Sequence, residues 1–584
     1  MSAREISSHL SRRERRRRPP RATIAFAALA ALAASATWPL PASAQFTAVT
    51  KHPLGSNGMA FGVSWADFDG DGDQDLYVTN DGPNLLLRNL GGGDFADATA
   101  APVDNGENGG AAVWGDYDDD GDLDVYLVNY LTANRLFRND GSAFTDVTSP
   151  PLDDAGAGQG AAWADYDLDG DIDLYLVNYG TPNRLFRNDG LGGFVDATAG
   201  PLGDAGWGLA VAWGDYDNDG DPDLYITNDG PNRLLRNDGD GLFTRVTGLA
   251  IEDGNAGQGA AWGDYDNDGD LDLYVANWGT PNKLIRNDGG DHFTQITAGA
   301  LGDPGNGTGV AWGDYDNDGD LDLYLANYGT DNRLLRNDGG GVFTALTGGP
   351  LGDGGNGTGV AWGDYDHDGD LDLYLANDGS ANVLMRNDLA NGNHWLQIRL
   401  VGLVSNRAAI GARVRVVAGG RSQIQEVSGG SGYLSQNSLP LEFGLGAAAL
   451  ADSVVVSWPS GYIEAYLAVA GDQRLTISEL SVVAVEESPA PTPPLALAAP
   501  FPNPTRGGAS FRVSLPRTSR VRLTIYDAQG RRVATPARAT FGSGSHALAW
   551  DGADARGRRV AAGVYFARLE SNGEVRTRRV VVLR

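Results

Sequence analysis

Seven times between Asp67 and Asp372 the chain repeats Asp-x-Asp-x-Asp-Gly-Asp-x-Asp, at intervals of 49 or 50 residues. The acidic places are Asp67, Asp69, Asp71, Asp73 and Asp75; Asp116, Asp118, Asp120, Asp122 and Asp124; Asp165, Asp167, Asp169, Asp171 and Asp173; Asp215, Asp217, Asp219, Asp221 and Asp223; Asp264, Asp266, Asp268, Asp270 and Asp272; Asp314, Asp316, Asp318, Asp320 and Asp322; and Asp364, Asp366, Asp368, Asp370 and Asp372. Carboxylates at alternating places of a tight loop, with Gly sixth to allow a positive φ, supply the all-oxygen cage that Ca²⁺ takes. In the sixth copy the expected ligands are the side chains of Asp314, Asp316, Asp318 and Asp322 and the backbone carbonyl of Asp320, and the other copies follow place by place. An EF-hand is excluded, because its twelfth place needs a bidentate Glu and here holds Leu325. Mg²⁺ suits such a loop less, since it demands a strict octahedron and gives up water reluctantly. One Asp-Gly cluster alone would read as a turn. Five carboxylates in nine residues repel one another unless a cation lies among them, so the repeat points to as many as seven Ca²⁺ ions.

Short alternating runs flank each loop, and they are the elements that must hold it. In the sixth copy GVAWGDY enters the loop, LDLYLAN leaves it, and NRLLRND and FTALT follow glycine-containing turns. Apolar and polar residues alternating over five to seven places, bounded by Gly, Asn and Asp, are the mark of strands. Four strands at this period make a propeller blade, and seven blades close a ring; a superhelical solenoid is the alternative. The outer strand, Phe-x-x-x-Thr, occurs at Phe95, Phe144, Phe194, Phe243, Phe293 and Phe343 but is missing from the seventh repeat. FTAVT at residues 46–50 has no blade of its own and is expected to complete the seventh, joining the two ends of the ring.

Ahead of that strand, residues 1–44 read as a signal peptide: an Arg run from Arg12 to Arg18, an apolar stretch from Ala22 to Ala36, and the small-x-small site Ala42-Ser43-Ala44. Export by the general route is expected, the Arg12-Arg13 pair being a poor twin-arginine signal, and the destination is the medium or cell surface of a Gram-negative-type bacterium. No other stretch has the length of a spanning helix. The chain has no Cys, which removes disulfides, thiolate metal sites and cysteine nucleophiles, and leaves calcium to staple the fold. The net charge of −32 is unevenly spread: +6 over residues 1–44, −47 over 45–390, −2 over 391–487 and +11 over 500–584. Full calcium loading would still leave the second region near −33, a poor surface for nucleic acid.

The repeats resemble FG-GAP and VCBS-type calcium propeller repeats, as in integrin α-subunit heads, over Phe46 to about Asp388. The segment HWLQIRL, SNRAAIGARVRV, GGSGYLSQ, FGLG and VVVSWPSG resembles the ASPIC/UnbV domain, and propeller plus that domain is the arrangement of cartilage acidic protein and its bacterial relatives. FPNP at Phe501, VRLTIYDAQGRRV and the closing RRVVVLR resemble the Ig-like module related to flagellar hook-capping proteins and to type IX sorting domains. The implied fold class is all-β: a seven-bladed propeller over 45–390, a small β domain over 391–485 with strands near 395–400, 412–417 and 453–458, a Pro-rich linker over 486–500, and an Ig-like sandwich over 501–584. The Gly-Ser-Gly-Tyr turn at Gly430–Tyr433 reads as a hairpin rather than a phosphate cradle, because no Lys or helix start follows.

Nothing in the sequence assembles a catalytic set. Of the six His, His9 leaves with the signal, His367 sits at the variable fourth place of a loop and reads as a turn residue, and His52, His292, His394 and His546 are scattered. A Gly-x-Ser-x-Gly elbow and a His-Glu-x-x-His pair are both missing. The expected function is therefore adhesion or recognition of a glycan or extracellular protein, with a polysaccharide-active lyase or hydrolase as the alternative. On the face opposite the calcium loops, the residue after each strand-ending Asn is Asp81, Tyr130, Tyr179, Asp229, Trp278, Tyr328 or Asp378, with Trp207 in a neighbouring connection. Aromatic faces stack and carboxylates accept hydrogen bonds, so this ring suits a ligand; the competing reading is that the aromatics pack between blades. The C-terminal module would hand the chain to an outer-surface sorting machinery or serve as a passive cap.

Overall fold

The computed structural model describes residues 46–479 and 495–583, apart from positions 142, 191–192, 240, 249, 253, 498–499, 501, 516, 518, 542–543 and 572–573. The expected signal peptide and most of the expected linker lie outside the described residues. Two compact units divide after Ser481. Among the described residues every regular element but three short 3-10 turns is a strand, and no helix is long and apolar enough to cross a membrane.

The first unit contains the propeller. Each blade runs from an inner strand to an outer one: the sixth consists of Gly307–Gly313, Asp322–Asn327, Arg333–Asn337 and Phe343–Leu346, all antiparallel. The seventh is completed from the other end of the chain, Phe46–Val49 pairing with Val383–Asn387 so that Phe46 faces Asn387 and Val49 faces Leu384. Asn57 and Met59 of the first inner strand also pair with Ala381 and Asp378, which ties the two terminal blades directly together.

Three side-chain ladders run round the ring. The indole N–H of each inner-strand Trp donates to the preceding blade: Trp163 to the Val113 carbonyl at 3.1 Å, Trp312 to that of Ala261 at 3.1 Å, and, across the closure, Trp65 to that of Ala361 at 3.2 Å. Each second-strand Tyr donates to the connection leading to the next blade, as Tyr274 does to the Leu301 carbonyl at 2.7 Å and Tyr374 to that of Leu54 at 2.7 Å. Each Asn ending a third strand reaches the preceding acidic-loop motif, Asn337 to the Tyr265 carbonyl and Asn89 to that of Tyr365, both at 2.8 Å. Trp65, Tyr374 and Asn337 are almost fully buried, so these bonds satisfy polar groups that would otherwise be costly. The same bonds form at the closure as elsewhere, which is why seven blades make a ring and not a spiral.

The second domain of this unit is a pair of facing sheets, Leu441–Gly446, His394–Val401 and Gln473–Ser478 against Arg421–Glu426, Arg413–Ala418, Leu450–Ser457 and Ile463–Ala470. Its connection over 428–440 enters the propeller axis. Gln436 N–H donates to Val63 O and Gln436 O accepts from Trp65 N–H, while its side chain takes the Trp114 N–H at 2.7 Å and returns a bond to the Trp114 carbonyl at 3.1 Å. Gly432 and Ala260 exchange a pair of backbone bonds, and Trp163 and Trp362 donate to Gly429 O and Asn437 Oδ1. The inner strands of five blades therefore hold this plug. Gly430 and Gly432 take φ of +135° and +70°, and a Cβ on Gly259 of the channel wall would lie 3.1 Å from the plug backbone, so glycine on both sides permits the approach. The expected hairpin turn is present, as the Ser431–Ser435 bridge, but it is the tip of this plug. One buried cluster runs from Val113 and Trp163 through Leu434 to Val414 and Phe443.

The second unit pairs a sheet of Ala496–Leu497, Ala509–Leu515 and Gly544–Trp550 with one of Arg532–Phe541, Ser519–Asp527, Gly563–Ser571 and Glu574–Val582, around Phe511, Leu523, Trp550 and Leu569. Leu495 and Leu497 are buried in that core, so the expected linker over 486–500 stops short of them: the Ala/Leu tail of the Pro-rich stretch is an edge strand.

Candidate calcium loops and the opposite face

Each acidic loop joins the first and second strands of a blade. The sixth place is Gly with φ between +87° and +102° in all seven copies, and the fourth place is also left-handed, as at Asn317 (57°) and His367 (64°). Two successive reversals fold the loop into a cup. Its first carboxylate accepts the N–H groups of the fifth and sixth places at 2.8–3.1 Å in copies two to six. The ninth accepts the N–H of the Asn ending the third strand at 2.7–2.8 Å in every copy. The fifth turns one oxygen back to the N–H of the seventh at 2.9–3.1 Å.

Oxygens of the first, third and ninth carboxylates converge within 4.8 Å of one another, as in Asp116, Asp118 and Asp124 or Asp264, Asp266 and Asp272; in the first copy the trio is Asp67, Asp69 and Asp71. The third place is the informative one. Oδ1 of Asp69, Asp167, Asp217, Asp266, Asp316 and Asp366 is buried and has no hydrogen-bond partner. A buried carboxylate oxygen with no donor is among the costliest groups a fold can hold, and a cation is the natural remedy. Burial, with like charges adding, pushes Asp75 up to about 8 and Asp124, Asp173, Asp223 and Asp272 up to about 9, and holds Asp322 and Asp372 well above the ordinary range. The same causes push Asp116, Asp165, Asp215, Asp264 and Asp364 up to about 7. A divalent ion reverses this logic by making the ionised form the favoured one. The donor set, carboxylate oxygens with a few backbone carbonyls, fits a hard cation.

The seventh place behaves differently from the rest. Asp270, Asp320 and Asp370 each accept an N–H from the fourth-place Asn of the preceding copy, Asn218, Asn267 and Asn317, at 2.6–2.9 Å. His367 Nε2 lies 2.6 Å from Asp73 Oδ1, making the same link across the closure. In these four copies the seventh side chain ties neighbouring loops together, which leaves the backbone at that place to serve the cage. His367 is the turn residue the sequence suggests and a link as well.

The second domain covers the loop face. Gly444 N–H donates to Asp314 at 3.1 Å, Arg407 N–H to Asp119 at 2.9 Å, and Arg421 pairs with Asp320 at 3.0 Å. Arg413 is largely buried between Glu426, at 2.7 Å, and Asp215, at 3.7 Å, and Trp395 lies over Gly369.

The opposite face carries the aromatic residues. Tyr179 stacks on Trp207 with centroids 5.8 Å apart and planes at 18°, and Trp278 meets Tyr328 at 5.4 Å. Tyr328 donates to Asp378 at 2.9 Å and Tyr179 to Asp229 at 3.4 Å. Tyr130, Tyr179, Tyr328 and Asp378 are half-buried and Asp81 and Asp229 exposed. Trp207 and Trp278 are 53% and 41% exposed, which is not the burial expected of packing residues. Sequence reasoning overlooked the axial plug and the fourth-to-seventh links; for the latter, the Asn at the fourth place of copies four to six was the available signal.

Comparison with known proteins adds the following. A family model for the FG-GAP-like repeat matches seven times, from 38–78 to 314–375 and so over more than half of the chain; one for ASPIC and UnbV matches 402–483, and one for the FlgD Ig-like domain matches 502–574. No curated protein matches. Among solved structures, an Agrocybe aegerita lectin titled for recognition of non-reducing terminal N-acetylglucosamine is 20% identical (54% of this chain, 85% of that one, TM-score 0.38). BP39L lectin from Burkholderia pseudomallei is 14% identical (57% and 98%, TM-score 0.42), and YCF48 bound to D1 peptide 8% (59% and 95%, TM-score 0.41). Likenesses this low assign no ligand.

Proposed function

The chain belongs to the FG-GAP-like repeat family, and on that premise we propose that it is an exported recognition module, a propeller held by structural calcium that binds a glycan or protein ligand on its aromatic face. The observation that carries the reading is the contrast between the two faces: one is covered by the second domain, while the other presents Trp207 and Trp278 with much of their surface in solvent. Large exposed aromatics beside hydrogen-bonding acids are costly to keep on a soluble surface unless something covers them in use. Calcium would be held by the first, third and ninth carboxylates, with the fifth carboxylate and seventh carbonyl at hand, and would supply positive charge to a buried acidic cluster. Its place beneath the second domain suits a structural role. Catalysis is not part of this reading.

Arrays of glycans and of extracellular matrix proteins, probed with the mature chain and with a Trp207→Ala/Trp278→Ala variant, test it. Binding is expected to be lost in the variant while its calcium content and melting temperature stay close to wild type. Equal binding by both proteins would dismiss the aromatic face. Delivery to the cell surface is assigned to the C-terminal unit: a chain ending near Glu487 is expected to remain in the periplasm, and equal surface display of both forms would refute that.

A further inference from the structure

The C-terminal unit carries 16 Arg and no Lys between Pro500 and Arg584. The pairing register shows where many of them stand. On the outer face of the four-stranded sheet, Arg522 lies between Arg538 and Glu570, Thr524 faces Arg568, and Tyr526 lies between Arg532 and Phe566, which in turn faces Arg579. The alternate residues of the central strand, Val521, Leu523 and Ile525, point into the core. All five of these Arg residues and Phe566 are exposed, and Glu570 is the one acid among them, pairing with Arg568 at 3.1 Å and Arg522 at 3.7 Å. Among the described residues Arg532, Arg538 and Arg579 have no ion pair.

We propose that this sheet face binds an acidic polysaccharide. Guanidinium groups grip carboxylate, sulfate or phosphate through two parallel N–H bonds, a geometry that Lys does not offer, and five of them stand exposed on this one face. The row Arg532, Tyr526, Phe566, Arg579 crosses all four strands, a span of about 14 Å at the usual strand spacing. Cations at both ends and two rings between them match a run of sugars whose apolar faces lie on Tyr526 and Phe566 while their acidic groups reach Arg532 and Arg579. A polyanion lacking pyranose rings would use the cations alone. The site is separate from the aromatic face of the propeller, and neither reading depends on the other.

The test uses the mature full-length chain in calcium, with oligogalacturonate of about ten sugars, its methyl ester, poly-L-glutamate of matched charge and double-stranded DNA as probes. Oligogalacturonate is expected to bind in a salt-dependent way, at least tenfold tighter than polyglutamate, with the methyl ester inactive. Arg532→Gln/Arg579→Gln should weaken it tenfold or more. Tyr526→Ala/Phe566→Ser should remove its advantage over polyglutamate, and Tyr526→Phe, which keeps the ring and the fold, should restore it in the presence of wild-type Phe566. Three results would overturn the proposal: no binding at 50 mM salt, equal binding of oligogalacturonate and polyglutamate to the wild-type chain, or tighter binding of DNA.

Discussion

Removing calcium should make this propeller less stable as pH rises, the reverse of most acid-sensitive proteins. The ninth-place aspartates are raised from the ordinary range to about 8 or 9 by burial. A carboxylate raised on folding contributes stability that is complete below about pH 4 and is lost as pH climbs towards its folded value. Between pH 5 and 7 each such group would be ionised when unfolded and protonated when folded, a slope of about 1.4 kcal/mol per pH unit. Five groups acting together would give about 7 kcal/mol per unit, and a third of that slope is still above 2 kcal/mol. Calcium inverts the trend, because protons then compete with the ion for the same oxygens and loading improves as pH rises. Urea midpoints measured at pH 5, 6, 7 and 8, in chelator and in millimolar calcium, decide the matter. Opposite slopes are expected in the two series, and a midpoint in chelator that is flat or rising from pH 5 to 7 would refute the buried-carboxylate argument.

Asp266→Asn should have effects of opposite sign in the two conditions: one ion fewer and a lower melting temperature in calcium, but a gain of about 1–3 kcal/mol in chelator from relieving repulsion, read by metal analysis and urea melts. Deleting residues 46–49 should leave the seventh blade with an unpaired edge and produce aggregation or a clearly lower melting temperature, whereas an unchanged melt would mean that the closing strand is dispensable. The amides of Val414, Val416 and Phe443 in the second domain should lose hydrogen-exchange protection when calcium is removed, although their own strands hold no acidic loop, because they share a buried cluster with Val113 and Trp163. Protection that persists there while the propeller exchanges would separate the two domains.

How much of this was legible in the sequence depended on whether the partner of a residue lay within its own repeat. Blade strands were legible because Gly, Asn and Asp punctuate them, and the closing strand because Phe46 to Thr50 supplied the one outer strand that the seventh repeat lacked. The cup of the loop was legible from Gly at the sixth place. The use of the seventh carboxylate was not, since Asp320 meets Asn267 of the preceding copy, a contact set by blade packing. The plug was hidden for a different reason. Its partners on the propeller are mainly backbone groups of the inner strands, such as those of Val63, Trp163 and Ala260, and backbone groups leave no trace in side-chain pattern. Leu495 and Leu497 were masked by their surroundings, a two-residue strand inside PTPPLALAAP giving no periodicity to count.

The plug also accounts for the distribution of charge on the loop face. Seven buried acidic cups on one side of a ring would repel each other even with an ion in each, because each cup keeps more carboxylates than one divalent ion neutralises. The second domain brings Arg399, Arg407, Arg413, Arg421 and Arg474 to that face, pairing three of them with Asp67, Asp215 and Asp320 and setting Arg474 against His367. Anchoring through Gln436 and Gly432 in the axis fixes where those cations fall, so a domain held by backbone bonds delivers charge to the rim. Arginine thus neutralises from outside the cup carboxylates that a bound cation would neutralise from inside, Asp67 and Asp215 among them. On the opposite side Trp207 and Trp278 stand in solvent.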